Sequence, residues 1–327
     1  MKDRDPKTEV PASAIPVYRA LAEVPPGIGR SVVAIGNFDG VHRGHRAILS
    51  AAVRQARNLG AWSMAITFDP HPEQFLRPEV APRLLTPIPE RIRLLASTGV
   101  DAVLVLPFDE QLARMRAREF VEQVLVATLH VCSVHEGGNF RFGYHAEAGV
   151  KELQAFGEEF GIEVHVQTPV RVHGLDVSSS AVRAAVAAGD VKRARWMLGR
   201  PFSVRSTQAR GRGVGTRLLV PTVNLARYEA LLPAFGVYAT RLTIDGHCFE
   251  AVTNVGNRPT FEGVGFGVET HILNFEPIEI GDETPLELEF LFRLRPEIEW
   301  PSPEALKAQI FKDVARAKRY FRLLDRR

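Results

Sequence analysis

Through its first half this chain alternates short apolar runs with segments of helical period. No other feature restricts its fold as much. Residues 31–36 (SVVAIG), 62–68, 101–108, a short run near Val131 and 162–167 read as strands. Between them, Ile48, Ala51, Ala52, Gln55, Ala56 and Leu59 recur at spacings of three and four, the mark of one helix face. Residues 90–97, 117–129 and 151–160 read as further helices. Strands joined through helices cannot pair as hairpins, so they form a parallel sheet with right-handed crossovers. The fold class expected is α/β, a doubly wound, Rossmann-like parallel sheet.

After residue 200 the alternation stops. Segments 218–225, 237–244, 249–254, 268–275 and 286–293 are rich in β-formers, with Asp245-Gly246 and Gly281-Asp282 as turns between them. This half is expected to be an antiparallel β-barrel. Ser302 and Pro303 open a closing helix that carries Leu306, Ile310, Val314 and Ala317 on one face. A helical, Ala- and Arg-rich stretch, 178–200, joins the halves, and the expected domains are 1–186 and 187–327. The length of 327 residues agrees with about two domains.

Composition narrows the function. Hydrophobic residues are 45% and charged residues 24%, which excludes a disordered or coiled-coil chain. The net charge of +3 suits small anions such as phosphates and is too low for a nucleic-acid binder. Two distant cysteines, Cys132 and Cys248, make neither a disulfide framework nor a zinc site, so a reducing cytoplasm is expected. The first eleven residues are charged and read as no signal peptide. No apolar run reaches the ~18 residues of a membrane span.

One motif stands where the first strand gives way to the first helix: Gly36-Asn-Phe-Asp-Gly-Val-His-Arg-Gly-His45. Ligands of open α/β sheets collect at the carboxyl ends of strands. Gly36, Gly40 and Gly44 allow close backbone approach, and the helix N-terminus that follows favours phosphate. His42 and His45 are three apart, so both imidazoles project from one side of the first turn. Together they can hydrogen-bond a triphosphate and stabilise charge during phosphoryl transfer. No Gly-Lys-Ser/Thr follows, so this is no Walker A loop.

These residues resemble the HxGH signature of the nucleotidylyltransferases, in the version of bacterial bifunctional riboflavin kinase/FAD synthetases. The resemblance continues through Thr67-Phe-Asp-Pro-His-Pro72, Arg83-Leu-Leu-Thr86, Gly137-Gly-Asn-Phe-Arg-Phe-Gly143, Val177-Ser-Ser-Ser-Ala-Val-Arg183, Pro221-Thr-Val-Asn224, Gly236-Val-Tyr238, Val255-Gly-Asn-Arg-Pro-Thr-Phe261 and Glu269-Thr-His-Ile-Leu273. It implies that the first half moves AMP from ATP to FMN, giving FAD and pyrophosphate. His42 and His45 would then act on the ATP phosphates, with Gly36, Asn37, Asp39 and Gly40 shaping the turn. Ser178, Ser179 and Arg183 would form a second phosphate clamp, although the serines can equally cap a helix. Asn139 and Arg141 lie in a Gly-rich stretch suited to a flap over FMN or to a plain surface turn. Phe68 and His71 line a flavin pocket or form a core aromatic and a turn.

For the second half the resemblance implies phosphorylation of riboflavin by ATP. Glu269 would be the base, Thr222 and Asn224 the Mg²⁺ ligands, and Gly211, Gly213 and Gly215 the phosphate loop. Taken without the resemblance, Glu269 reads as a solvated strand carboxylate. Thr222 and Asn224 are two apart and so share one face of a strand. Leu219, Thr216 and Ser206 depart from the usual pattern, and His135 and Glu136 stand where the family has an apolar strand. The expected partners are riboflavin, FMN and ATP, with Mg²⁺, no nucleic acid, no membrane, and a monomer or weak homo-oligomer. The alternative is a monofunctional FAD synthetase whose C-terminal domain only binds flavin.

Overall fold

A computed structural model describes residues 15–209, 222–226, 228–260, 263–275 and 284–324. The chain divides into two compact units, 1–179 and 180–327. The helices that follow Ser178 are thus grouped with the second unit.

The first unit is built on strands β1 (Val17–Tyr18), β2 (Ser31–Ile35), β3 (Trp62–Asp69), β4 (Ala102–Pro107) and β5 (Val131–Gly137). A small ribbon of β6 (Arg141–Phe142) and β7 (Ala148–Gly149) precedes the last strand of the sheet, β8 (Glu163–Gln167). The six-stranded sheet has the order β1-β4-β3-β2-β5-β8 and is parallel throughout. Helices α1 (Arg43–Leu59), α2 (Pro72–Leu76), α3 (Ile88–Ala96), α4 (Glu110–Arg114), α5 (Ala117–Glu119) and α6 (Val150–Phe160) connect the strands. Strand alternation sends Val32 and Ala34 to one face, against Leu49, Ala52 and Val53 of α1 and Leu94 and Leu95 of α3. Val33 and Ile35 go to the other face, with Phe120, Val124, Leu125 and Leu153. The helix expected over 117–129 forms, but Phe120–Thr128 winds as a π-helix, so its apolar side chains advance more slowly around the axis. A hairpin of β9 (Arg171–Val172) and β10 (Leu175–Asp176) ends the unit.

The second unit opens with α7 (Ser179–Ala187) and α8 (Val191–Leu198) and continues with β11 (Phe202–Ser206), β12 (Thr222–Asn224), β13 (Gly236–Ile244), β14 (His247–Thr260), β15 (Gly263–Ile272) and β16 (Leu286–Pro296). The antiparallel sheet has the order β11-β16-β13-β14-β15-β12. Its two edges meet, because Ala209 N–H donates to the Asn224 carbonyl (2.8 Å) and Ala226 N–H to the Thr207 carbonyl (2.9 Å). The sheet thereby curls toward the expected barrel. Inside it, a ladder of buried hydroxyls links Thr240 to Thr253 (2.7 Å) and Thr253 to Thr270 (2.9 Å).

The closing helix, α9 (Pro303–Leu324), corrects one expectation. Leu306 and Ile310 remain exposed, at 41% and 46%, while Asp313, Ala317 and Phe321 are buried. The buried stripe is rotated because Arg295 of β16 draws Asp313 inward. Its guanidinium meets the carboxylate at 2.9 Å, with both side chains nearly buried, and Gln309 donates to the other oxygen at 2.9 Å. Removing one partner of such a pair leaves a buried charge uncompensated. Asp313→Ala is therefore expected to lower stability by about 3 kcal/mol, read as a fall in the urea midpoint. An unchanged midpoint would show that the pair does not hold the helix.

Candidate active sites

The turn from β2 into α1 carries an unusual backbone. Phe38 (φ 45°), Gly40 (φ 84°) and Val41 (φ 38°) all lie in the left-handed region, which a β-branched valine strongly resists. Such strain persists only where the surroundings over-determine it. Here the Asp39 carboxylate does much of that. It is 1% exposed and accepts from Leu85 N–H and Thr86 N–H, each at 2.9 Å, and from the Thr86 hydroxyl at 3.2 Å. Gly40 N–H donates to that same hydroxyl at 2.9 Å. Thr67 donates to the Asn37 carbonyl (3.1 Å), Ser179 to the Asp39 carbonyl (2.8 Å), and Gly36 N–H to the Ile66 carbonyl (2.9 Å). Asp39 and Ser179 thus brace the loop.

The braced loop sets the two histidines. His42 is the N-cap of α1, and its Nδ1 accepts from His45 N–H at 3.2 Å. That bond assigns the His42 proton to Nε2. The rings stack with centroids 3.6 Å apart, and His45 meets Phe38 edge-on at 5.2 Å. Gly44 permits the stack, since a Cβ there would stand 3.1 Å from the His42 ring. His45 Nδ1 is buried without a hydrogen-bond partner. Burial, then the neighbouring His42 and Arg91, hold the His45 imidazole well below the usual histidine range. The pair thus stands stacked at a helix N-terminus, where an anion is favoured, with His45 held toward its neutral form.

Arg91 is a residue that sequence reasoning missed. It lies on α3 at 0% exposure and reaches the Thr67 hydroxyl (3.4 Å), the Phe68 carbonyl (3.3 Å) and the Thr86 carbonyl (3.3 Å). It ties the ends of β3 and the Asp39 brace together. Its one sequence signal is a cation among the apolar positions of 88–96.

The other first-unit candidates separate into different settings. Phe68 stands edge-on to Phe108 at 6.0 Å, and Phe75 to Phe108 at 5.8 Å, forming an aromatic wall at the carboxyl ends of β3 and β4. His71 caps α2, its Nδ1 accepting from Glu73 N–H at 3.2 Å. Asn139 and Arg141 are exposed, and the Arg141 guanidinium is turned onto the Ala146 carbonyl of its own ribbon (3.1 Å from Nε). Gly143 (φ 78°) closes that ribbon, where a Cβ would lie 2.8 Å from Ala117. Ser178 is exposed just before α7, and Arg183 lies on α7 in the second unit.

In the second unit, pairing brings distant candidates into register. Thr222 lies opposite His271, and Asn224 opposite Glu269, which in turn faces Asn254 of β14. Alternation sends Val223 and Thr270 to the buried side and leaves Thr222, Asn224, Glu269 and His271 half-buried on the other. Asn224 Oδ1 is buried without a partner. Burial, with Lys318 as a second cause, lowers the His271 pKa. Gly211, Gly213, Gly215, Thr216 and Leu219 lie outside the described residues. Among the described residues no cluster of three or more His, Cys, Asp or Glu could hold a metal ion.

A parallel sheet with paired histidines at its first strand-to-helix turn, followed by a barrel with an oxygen-rich strand face, defines a two-domain phosphate-transferring enzyme. Known proteins make the class specific. A FAD synthetase model matches residues 26–181, and a riboflavin kinase model matches 198–321. The bifunctional riboflavin kinase/FMN adenylyltransferase of Pseudomonas fluorescens is 38% identical over 92% of this chain and 96% of its own length. That of Escherichia coli K12 is 34% identical over 89% and 93%. The chain belongs to the bifunctional riboflavin kinase/FMN adenylyltransferase family. A solved structure described as a macrolide-efflux protein from Streptococcus pneumoniae matches with TM-score 0.82 at 27% identity, over 92% of this chain and 98% of that one. Efflux belongs to that description alone. Among the described residues here, no helix is long and apolar enough to cross a membrane.

Proposed function

We propose that this protein makes both flavin cofactors, phosphorylating riboflavin to FMN in the barrel and adenylylating FMN to FAD in the α/β unit. The observation that carries it is the stacked His42/His45 pair at the N-terminus of α1, in a chain that both family models match. Matches along both halves, with bifunctional relatives, favour this over a monofunctional FAD synthetase.

In adenylyl transfer an FMN phosphate oxygen bonds to the α-phosphorus of ATP, and the bond to pyrophosphate breaks. The attacking oxygen is already anionic, so no base is required and the protein's part is positioning and charge stabilisation. His42 Nε2–H and the first N–H groups of α1 are the donors for that charge. The aromatic wall of Phe68, Phe75 and Phe108 suits a planar flavin ring.

In the kinase a hydroxyl of riboflavin attacks the γ-phosphorus of ATP, Glu269 takes its proton, and the bond from that phosphorus to ADP breaks. Mg²⁺ fits the adjoining face, because the orphaned Asn224 Oδ1 and the Thr222 hydroxyl are the hard oxygen donors it prefers. When bound it neutralises phosphate charge. Cys132 and Cys248 are free thiols, in accord with work in the cytoplasm.

The test is to incubate the protein with riboflavin, ATP and Mg²⁺, then separately with FMN and ATP, and to separate the flavins by chromatography. FMN and FAD are expected from the first mixture and FAD from the second. FAD from FMN without any product from riboflavin would leave only the adenylyltransferase.

A further inference from the structure

The first sheet changes direction between β2 and β5. β2 leads through α1 to β3 on one side, while β5 lies on the other, so their carboxyl ends part at a crevice. The ladder between them runs Val32 to Ser133, Val33 to Val134 and Ala34 to His135, and stops. A side chain makes the next rung. Ile35 N–H donates to Glu136 Oε1 at 2.6 Å, and Glu136 is 3% exposed. A carboxyl group thus stands in the sheet one residue before the phosphate turn begins.

Its surroundings are apolar. By alternation Glu136 shares the face of Val134 and Ile35, under the cluster that includes Phe120, Val124 and Leu153. Several charged residues of the helices over that face are engaged elsewhere. Arg118 pairs with Glu122 and Glu159 in solvent, and Glu152 accepts from Gly149 N–H at 2.6 Å. The adjacent His135 points to the opposite face. There it stacks on His165 at 4.6 Å and joins Gln55 of α1 and Gln167 of β8, with Glu163 completing the network. Burial pushes the Glu136 carboxyl well above the usual carboxylate range, against the opposing pull of the Ile35 and Gly137 N–H groups.

We infer that Glu136 is a positioning residue for adenylyl transfer. As a neutral acid it links β2 and β5 at the floor of the crevice. Ionised, it sets a negative charge beneath the turn that receives polyphosphate. The inference rests on the adenylyltransferase reading of this unit. It concerns the ATP side of the reaction, so ionisation raises KM for ATP more than it lowers kcat.

Glu136→Gln keeps the shape and the acceptor oxygen but cannot ionise. In the wild type, kcat/KM for ATP in FAD formation is expected to fall about tenfold per pH unit once the carboxyl titrates. In E136Q that alkaline limb moves up by at least about one pH unit. Glu136→Val, which strands the Ile35 N–H, is expected to lose about tenfold at every pH. Urea unfolding gives a readout independent of activity. The unfolded carboxyl titrates near ~4.3, below the folded one, so the unfolded state binds fewer protons in between. Wild-type stability then falls as pH rises through that window, and E136Q gains on it until the folded carboxyl has titrated. A stability difference independent of pH would overturn the neutral acid, and coincident pH profiles would overturn the positioning role. If neither protein made FAD at any pH, the adenylyl assignment and the positioning role would fall together, while the unfolding curves would still judge the acid.

Discussion

Replacing both His42 and His45 with alanine abolishes FAD formation from FMN and leaves FMN formation from riboflavin intact. The argument is electrostatic. Adenylyl transfer asks the protein for donors already aimed at developing phosphate charge, and one such donor is worth about a hundredfold to a thousandfold. His42 supplies its Nε2–H because Nδ1 is committed to the α1 cap, and His45 is stacked 3.6 Å away. Losing both removes the donors and the ordering of the turn. Kinase activity is the internal control, because Glu269, Thr222 and Asn224 all belong to the other compact unit. Chromatography of the flavins gives both answers in one run. Substantial FAD from the folded double variant would sink the assignment of these histidines.

Glu269→Gln is expected to remove most FMN formation, about a hundredfold to ten-thousandfold, the usual worth of a general base. The same protein should convert supplied FMN to FAD at the wild-type rate. A hydroxyl nucleophile needs its proton taken and an FMN phosphate does not, so the two halves answer oppositely. Strand pairing places Glu269 directly across from Asn224 and beside Asn254, on the face with the orphaned Asn224 Oδ1. Glutamine keeps the shape and cannot accept the proton as carboxylate does. Undiminished riboflavin phosphorylation by E269Q would reduce Glu269 to an ordinary strand residue.

Much of the architecture was legible because its causes are local. Apolar runs separated by helix-period stretches dictate parallel strands, and five of the six strands in that sheet were read this way, the short β1 being missed. Thr222 and Asn224 share a face because strand side chains alternate. The α9 stripe was misread because spacing alone could not register Arg295. A buried partner from β16 outweighed the apolar preference of Leu306 and Ile310.

The candidate sites show the same division. Residues 36–45 announce a tight strand-to-helix turn by themselves, since glycines, a cap and two histidines lie within a few residues of each other. The sequence also placed Glu269 and Asn224 in strands, but only pairing set them opposite one another. Asp39 was expected to shape the turn, and it does so by accepting from residues 46 and 47 positions away. Arg91, which the sequence did not single out, is fully buried and ties the end of β3 to the Asp39 brace. Glu136 looked like a departure in an apolar strand and replaces a rung at the sheet's change of direction. Local sequence determined which backbone forms each segment, because propensity, alternation and capping act over a few residues. Tertiary structure decided what the buried polar groups do, because their partners and their dielectric surroundings come from segments far away in the chain.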